Sequence, residues 1–129
     1  MEGVVLDTSV AIDLRDGQAS TIRRLESLDG PFLLSVISRV ELEGGVHRDR
    51  DLVEVRRRRL DELLLSLTVL PFDDACADAY RSIVEARQFS RRKIVDRMIA
   101  AQALVHRATL ITLNGADFAD VPGLVFEAW

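Results

Sequence analysis

The chain has 129 residues, of which 48% are hydrophobic and 29% are charged, and its formal net charge is −4. This length and composition are typical of one globular domain with an ordinary core, covering residues 1–129, and they exclude a disordered chain. The N-terminal apolar stretch lacks the basic flank and the length of a secretory signal, and no apolar run reaches the ~18 residues of a membrane span, so we expect a cytoplasmic protein without membrane contact.

Two strands and two helices are predicted in the N-terminal part of the chain. Residues 3–6 form a short, β-branched apolar run that stops at an Asp-Thr-Ser sequence. This pattern predicts a buried strand followed by a helix to about Leu14, which an Asp-Gly pair then ends. A second helix is predicted for residues 19–28 and, after a turn, a second strand for residues 32–35.

The middle of the chain predicts two further helices and a strand. Ser38 and Glu41 form a capping-box pattern, with serine three residues before glutamate. This pattern predicts the start of a short helix that ends at the two glycines that follow. A long helix is predicted for residues 51–66, where leucines recur at helical spacing, and residues 68–72 are typical of a third strand.

The C-terminal part continues the alternation of strands and helices. Asp73 opens a helix with one apolar stripe, and residues 94–107 form another helix with Asp96 near its start. Further strands are predicted for residues 109–113 and 124–126. Because helices separate the strands, the sequence predicts an α/β fold with a parallel central sheet of about five short strands, flanked by helices on both faces.

Four acidic side chains lie where a predicted strand ends or a predicted helix begins. Asp7 follows the first strand directly, and Asp117 lies a few residues beyond the fourth. Glu41 and Asp96 lie in the first turns of predicted helices. In an open α/β sheet these points meet at the carboxyl edge of the strands. We therefore expect the four carboxylates to face one crevice.

A crevice with several carboxylates predicts a metal site. Each ionised neighbour raises the pKa of the next carboxyl group, so a cation is needed to stabilise the cluster. Oxygen ligands without cysteine favour Mg²⁺ or Mn²⁺ over Zn²⁺. Such an ion can polarise a phosphoryl group and orient an attacking water. The pattern therefore favours metal-assisted phosphodiester hydrolysis.

Each acid also has a local structural explanation. Glu41 can return a hydrogen bond to the backbone N–H of Ser38. Asp96 can complement a helix dipole, and Asp117 can be a solvated loop residue. Asp7 can cap a helix, although an acid directly after three apolar strand residues is poorly placed for solvent. All of these explanations must hold together if the acids share no function.

Four short segments carry a resemblance to a known family. They are Val4-Val-Leu-Asp7-Thr-Ser, Ser38-Arg-Val-Glu41-Leu-Glu-Gly44, Asp96-Arg-Met-Ile-Ala-Ala101 and Thr112-Leu-Asn114-Gly-Ala-Asp117-Phe118. In this order and spacing they resemble the motifs of the PIN-domain ribonucleases and, among these, of the VapC toxins of bacterial toxin–antitoxin pairs. The resemblance spans essentially the whole chain and implies a single PIN-like nuclease domain.

The resemblance also implies the site residues and the partners. The acidic quartet of the family, which binds Mg²⁺ or Mn²⁺, is matched by Asp7, Glu41, Asp96 and Asp117. The polar support residues of the family are matched by Thr8, Ser9, Thr112 and Asn114. The implied partners are an RNA substrate, a second copy of the chain in a homodimer, and a cognate VapB-type antitoxin that lays a C-terminal segment across the site.

Two basic segments bear on RNA binding. Arg91, Arg92 and Lys93 lie next to Asp96 in sequence, so they could guide an RNA backbone toward the acids. The alternative is a solvated helix start. The four consecutive arginines at residues 56–59 point in several directions on a helix, which favours a solvated face or intersubunit ion pairs over an RNA track.

The sequence leads to one functional hypothesis and one alternative. We hypothesise that Asp7, Asp96 and Asp117 hold one or two ions. Glu41 is a further ligand or the base for the attacking water. The chain is then a metal-dependent endoribonuclease and the toxin of a type II toxin–antitoxin pair. The alternative is a noncatalytic RNA- or protein-binding module of the same fold, with the acids serving as caps.

Two other side chains carry structural expectations. Cys76 is the only cysteine, which excludes an intrachain disulfide, and its place on an apolar stripe predicts a small core residue. Trp129 could anchor a dimer or an antitoxin, or it could fold onto its own domain. Neither residue is expected to take part in catalysis.

Overall fold

The computed structural model describes residues 2–129 and contains a single parallel sheet. Its strands are β1 (Val4–Leu6), β2 (Phe32–Ser35), β3 (Thr68–Leu70), β4 (Thr109–Thr112) and β5 (Phe126–Ala128), in the spatial order β3-β2-β1-β4-β5. The helices are α1 (Thr8–Asp16), α2 (Ala19–Glu26), α3 (Val36–Val46), α4 (Val53–Leu65), α5 (Asp74–Arg87) and α6 (Ile94–His106). Short 3-10 turns cover Arg50–Leu52, Arg91–Lys93 and Gly115–Asp117. The predicted α/β fold with about five short parallel strands is confirmed.

The central strands are buried on both faces, so successive side chains enter opposite core layers. Val5, Leu33 and Leu110 point to the layer that contains α5 and α6. The next residue on each strand points toward α1, α3 and α4; these residues are Leu6, Leu34 and Ile111. All are at most 1% exposed. Burial of each side chain contributes roughly 1.5–3 kcal/mol before the entropy cost of folding.

Helix α3 begins earlier than the sequence predicts. Ser35, the last residue of β2, is its N-cap, and the Ser35 hydroxyl accepts a 3.0 Å hydrogen bond from the backbone N–H of Ile37. The predicted capping box at Ser38 and Glu41 is therefore wrong, because Ser38 is fully buried inside the helix. The chain passes from strand to helix without a loop, and the helix continues through the two glycines that were predicted to end it.

The last strand lies two residues later than predicted. The apolar pattern predicts residues 124–126, whereas β5 covers Phe126–Ala128 and pairs in parallel with β4. Gly123, with φ of +75°, forms a turn just before this strand. The backbone N–H of Leu110 then donates to the Val125 carbonyl, which sets the register. The other predicted strands and helices agree with the structure to within about two residues at each end.

The two side chains with structural expectations belong to the core and its rim. Trp129 packs against the layer of Leu6 and Ile111, and the guanidinium of Arg24 lies 5.6 Å from the Trp129 ring centroid. Trp129 therefore folds onto its own domain. Cys76 is fully buried, as expected for a small core residue. Of the helices within residues 2–129, none combines the length and apolar character required to cross a bilayer.

Candidate acidic active site

The carboxyl edge of the sheet carries the four acids that were predicted to converge. Asp7 follows β1 directly, and Asp117 lies in the 3-10 turn after β4. Glu41 lies in the middle of α3 rather than in its first turn, and Asp96 lies in the first turn of α6. Helix α6 runs back along the sheet before β4 begins, so its first turn lies at this same edge, where α6 also contacts α3.

Asp7 is only 4% exposed, and both of its carboxylate oxygens accept hydrogen bonds. Oδ1 accepts from the backbone N–H of Thr8 at 2.8 Å, which caps α1. Oδ2 accepts from the hydroxyl of Ser9 at 2.9 Å and from that of Thr112 at 2.7 Å. The structure thus places three of the predicted support residues around this one carboxylate and fixes its orientation.

The hydrogen-bond network continues from Asp7 into the chain that leads to Asp117. The Thr112 hydroxyl accepts from the backbone N–H of Asn114 at 2.9 Å, and the Ser9 hydroxyl accepts from the N–H of Leu113 at 3.2 Å. Asn114, the fourth predicted support residue, therefore contributes through its backbone, and it is exposed. The network ties the segment after β4 to the tip of β1.

Glu41 is held by a neighbouring helix rather than by its own backbone. Thr8 Oγ1 lies 2.8 Å from Glu41 Oε1 and 2.7 Å from Ser38 Oγ. Because a carboxylate only accepts hydrogen bonds, the Thr8 hydroxyl donates to Glu41, and the Ser38 hydroxyl donates to Thr8. The explanation of Glu41 as a capping residue is therefore wrong. Ser38, which the sequence pattern assigns to a helix start, is instead a buried residue of the site.

Asp96 is affected by the charges of the other three acids. Its pKa is raised from 3.8 to about 6, first by burial and then by the negative charges of Asp7, Asp117 and Glu41. The positive charge of Lys93 offsets part of this effect. Charges influence one another in this way only at short range, because solvent screens the more distant ones. The acids therefore form one cluster with unbalanced negative charge.

The acids do not form a tight cage as they stand. Within residues 2–129, no three Asp, Glu, His or Cys side chains are grouped closely enough to hold a metal ion. Asp7 instead faces Ser9 and Thr112, while Glu41 faces Thr8. The donor set nevertheless fits Mg²⁺ or Mn²⁺, because it consists of carboxylate and hydroxyl oxygens and carries a charge that a cation would balance.

Asp117 is positioned by a turn that passes close to β5. The Asp117 N–H donates to the Asn114 carbonyl at 3.0 Å. Gly115 lies so near the sheet that a Cβ there would come within 2.8 Å of the Ala128 Cβ. Phe118, the next residue after Asp117, is 1% exposed and anchors the turn in the core. A glycine and a buried aromatic residue therefore hold this acid at the edge of the sheet.

An ionic cluster around the buried Arg97 lies beside Asp96 and Asp117. Arg97 is 2% exposed; its Nη1 donates to the Gln88 carbonyl at 2.7 Å, and its Nη2 donates to Asp120 Oδ2 at 3.4 Å. Lys93 Nζ donates to the same oxygen at 3.1 Å. These positive charges, led by the Lys93 hydrogen bond, lower the pKa of Asp120.

The sequence patterns did not reveal this cluster. Arg97 follows Asp96 directly, and Asp120 lies three residues after Asp117, so the ion pair joins the two segments that carry these acids. The one available signal was the place of Arg97 on the apolar stripe of α6, three residues before the buried Ala100. Asp120 gave no signal, because its loop has no periodicity.

The two basic segments differ in how much of their charge is paired. Arg91 and Arg92 are exposed and make no ion pair with any residue in the described range, whereas Lys93 is paired with Asp120. In the arginine run of α4, Arg57 forms ion pairs with Glu43 and Asp61. Arg56 instead donates to the Gly45 carbonyl of α3, so the arginines point in different directions, as predicted.

Comparisons with known proteins agree on one family. Residues 4–124 match the PIN domain family. The chain is 34% identical over 126 residues to Ribonuclease VapC1 of Rickettsia felis, which covers 95% of this chain and 92% of that protein. It is 32% identical over 128 residues to Ribonuclease VapC of Rickettsia bellii, with the same two coverages of 95% and 92%.

Solved structures show the same fold. The crystal structure of VapBC2 from Rickettsia felis, bound to a DNA fragment from their promoter, matches with a TM-score of 0.86 and 27% identity, covering 100% of this chain and 99% of that chain. The crystal structure of FitAcB from Neisseria gonorrhoeae matches with a TM-score of 0.78 and 28% identity, covering 96% of each chain. The similarity therefore extends over the whole domain.

Proposed function

The chain belongs to the PIN domain family as a relative of the VapC ribonucleases, and we propose that it is a metal-dependent endoribonuclease and the toxin of a type II toxin–antitoxin pair. The observation that carries the proposal is the position of the four acids at the carboxyl edge of the sheet, where Thr112 donates to Asp7 and Thr8 donates to Glu41. The raised pKa of Asp96, to which the other three carboxylates contribute, agrees with it. The alternative, a noncatalytic module whose acids are caps, does not account for Glu41, which caps no helix.

The proposed roles of the acids follow from their surroundings. Asp7, Asp96 and Asp117 would hold one or two Mg²⁺ or Mn²⁺ ions at the edge of the sheet. Such an ion, when bound, supplies Lewis-acid chemistry and lowers the pKa of a coordinated water. Glu41 is a further ligand or the base for the attacking water. It is the most exposed of the four acids, so a water molecule can reach its carboxylate.

The chain's own hydroxyls hold these acids in place. The Thr8 hydroxyl donates to Glu41, so one lone pair of that carboxylate is occupied and the group keeps a fixed direction. In the proposed reaction, a bond forms between the water oxygen and phosphorus while a bond from phosphorus to a ribose oxygen breaks. The ribose oxygen leaves with the electron pair of that bond and takes a proton from solvent, which gives a free hydroxyl. Glu41, acting as base, takes the proton of the water. Ser9 and Thr112 keep Asp7 from turning away during this step.

The proposed partners follow from the substrate and from the relatives. Arg91 and Arg92 are exposed beside Asp96 and would guide the RNA backbone toward the acids. Lys93, the next residue, would add its positive charge to theirs. The similar chain in the VapBC2 structure from Rickettsia felis belongs to a VapBC complex, which supports a VapB-type antitoxin as the inhibitory partner. We further propose a homodimer, and an activity in the cytoplasm, where the RNA substrate is present.

Cleavage of defined RNAs tests the proposal. Purified protein should cut defined transfer or ribosomal RNAs with Mg²⁺ or Mn²⁺, and chelator should stop the reaction. Asp117→Asn should be inactive, whereas Asp74→Asn, which changes an exposed acid in the first turn of α5, should remain active. Cleavage that persists in chelator or in Asp117→Asn would contradict the proposal. RNA binding without cleavage would instead favour the noncatalytic module.

A further inference from the structure

A polar pocket with a volume of about 470 Å³ opens between α1, α3 and α4. Thr8 and Glu41 line one side, so the pocket adjoins the acidic cluster through the hydrogen bond between these two residues. The pocket is also lined by three arginines, Arg15, Arg48 and Arg56, and by Asp16, whose carboxylate is paired with Arg15. Positive charge from separate elements therefore meets beside a wall of the acidic site.

The three arginines are held in different ways. Arg15 is 6% exposed, and its Nε donates to Asp16 at 3.0 Å. Its Nη1 passes so close to Gly45 that a Cβ there would lie 3.1 Å away. Arg56 donates from Nη1 to the Gly45 carbonyl at 3.1 Å. Arg48 is exposed, just beyond the end of α3. The lack of a side chain at Gly45 thus makes room for a guanidinium.

The charge of two of these arginines is not used within the domain. Among the residues that the structure describes, Arg48 and Arg56 form no ion pair with a carboxylate. Arg57, the next residue along α4, is by contrast paired with Glu43 and Asp61. Arg48 and Arg56 therefore present guanidinium groups that can bind an anion from solution.

We propose that this pocket binds a phosphate group of the RNA strand next to the phosphate that is cut, an inference that rests on the proposed ribonuclease function. The planar guanidinium of arginine presents parallel donors that match phosphate oxygens. Successive phosphates follow closely along one strand, so a strand with one phosphate at the acids must place another nearby. The pocket shares Thr8 and Glu41 with the acidic site, so it lies directly next to that site.

The lining favours a phosphate over a protein side chain. Ile12 and Leu42 are the only large apolar residues that line the pocket, and Leu42 is 1% exposed. An apolar peptide side chain would therefore find little surface to bury, whereas a compact anion needs only the arginine donors. The pocket also differs from the apolar groove on the opposite side of α4, which Arg58 lines together with Val53 and Leu65.

The test measures RNA binding without cleavage. A fluorescent single-stranded RNA of mixed sequence is titrated with protein in chelator at several salt concentrations, and binding is followed by anisotropy. Arg48→Gln/Arg56→Gln should bind about tenfold more weakly. The slope of log affinity against log salt should also fall by about 0.7, the value for one phosphate contact with a single strand. Arg58→Gln/Arg59→Gln is the matched control, since it removes the same number of charges from two exposed arginines of α4 that do not line the pocket.

A cleavage assay separates this inference from the proposed function. With metal present, the double variant should show a raised KM and an unchanged kcat, because the pocket binds substrate away from the bond that breaks. If Arg48→Gln/Arg56→Gln has the affinity, slope and KM of Arg58→Gln/Arg59→Gln, the inference is overturned even if the wild type cuts RNA. An arginine-dependent slope in a wild type that cuts nothing would support the subsite and refute the nuclease. A loss confined to binding of an acidic protein partner would also overturn it, and Arg48→Gln alone repeats the test if the double variant does not fold.

Discussion

Thr112 donates a 2.7 Å hydrogen bond to Asp7 Oδ2, although the two residues are 105 positions apart in the chain. The bond follows from the sheet register, because Leu6 of β1 pairs with Ile111 of β4. The residues that follow these two in sequence, Asp7 and Thr112, therefore lie side by side. Asp7 and Thr112 are both buried. The orientation of this carboxylate therefore depends on strand pairing as well as on its own neighbours.

Replacement of Thr112 by valine tests this dependence. Thr112→Val keeps the side-chain shape but removes the donor to Asp7 and the acceptor for the Asn114 N–H. We expect a loss of about 1–3 kcal/mol in the free energy of unfolding, measured in denaturant, and a fall in kcat/KM for RNA. Thr112→Ser retains the hydroxyl and should recover most of both. Full activity in Thr112→Val would show that Asp7 does not need this bond.

The charge cluster around Asp96 should destabilise the metal-free fold. Because its folded-state pKa of about 6 lies above the usual 3.8, Asp96 contributes stability below pH 3.8, and this contribution is lost as pH rises through 6. At pH 7 in chelator, the free energy of unfolding of Asp96→Asn should therefore exceed that of wild type by about 1–2 kcal/mol, after allowance for screening by solvent. The same variant should lose RNA cleavage and growth arrest.

A matched variant separates this effect from a helix-dipole role. Asp74 lies in the first turn of α5, as Asp96 does in α6, but it is exposed. Asp74→Asn should cost roughly 0.3–1 kcal/mol, because it removes a favourable interaction with the helix N-terminus. Thermal unfolding from pH 4 to pH 8 compares the two variants. If both lose stability to the same extent, Asp96 is a dipole residue and the acids do not form a functional cluster.

Divalent ions should reverse the repulsion among the acids. An ion that binds only the folded state raises its stability by about 2.7 kcal/mol at one hundred times its dissociation constant. We expect Mg²⁺ or Mn²⁺ to raise the unfolding temperature of the wild type and of Asp74→Asn, but not that of Asp7→Asn or Asp117→Asn. Calorimetric titration provides the direct measurement. Comparable heats of ion binding in wild type and Asp7→Asn would favour the noncatalytic module.

The sequence could predict the edge at which the acids meet, because that edge depends on topology. Asp7 follows an apolar strand, and in a parallel sheet every such strand end lies on one side. The sequence could not select the start of α3, because Ser35 and Ser38 both satisfy local capping rules. Pairing of Ser35 with Leu70 in the sheet decides between them, and this pairing lies outside the local pattern.

The charged groups show the same division between local and distant information. The run at residues 56–59 reads as a single basic segment, but the fold pairs Arg57 with Glu43 and Asp61 and turns Arg56 to a pocket. Which arginine meets which carboxylate depends on how α4 packs on α3. For this reason the sequence could predict the edge at which the four acids lie but not which arginine of the run at residues 56–59 lies beside them.

The ion pair between Arg97 and Asp120 should stabilise both the fold and the acidic site. Positive charge, first from the Lys93 hydrogen bond and then from Arg97, lowers the pKa of Asp120, so its contribution is present above pH 3.8 and is lost as pH falls through the lower folded-state value. Asp120→Asn should cost about 1–2 kcal/mol at pH 7, because the buried Arg97 guanidinium loses its carboxylate and because Asp120, at 35% exposed, is partly screened by solvent. Glu85→Gln, which breaks an exposed pair with Arg81, should cost less than about 1 kcal/mol.

Denaturant unfolding at pH 7 and at pH 3 measures the free energy of unfolding of both variants. The difference between Asp120→Asn and wild type should shrink at the lower pH. A constant difference would mean that Asp120 acts through packing and not through its charge.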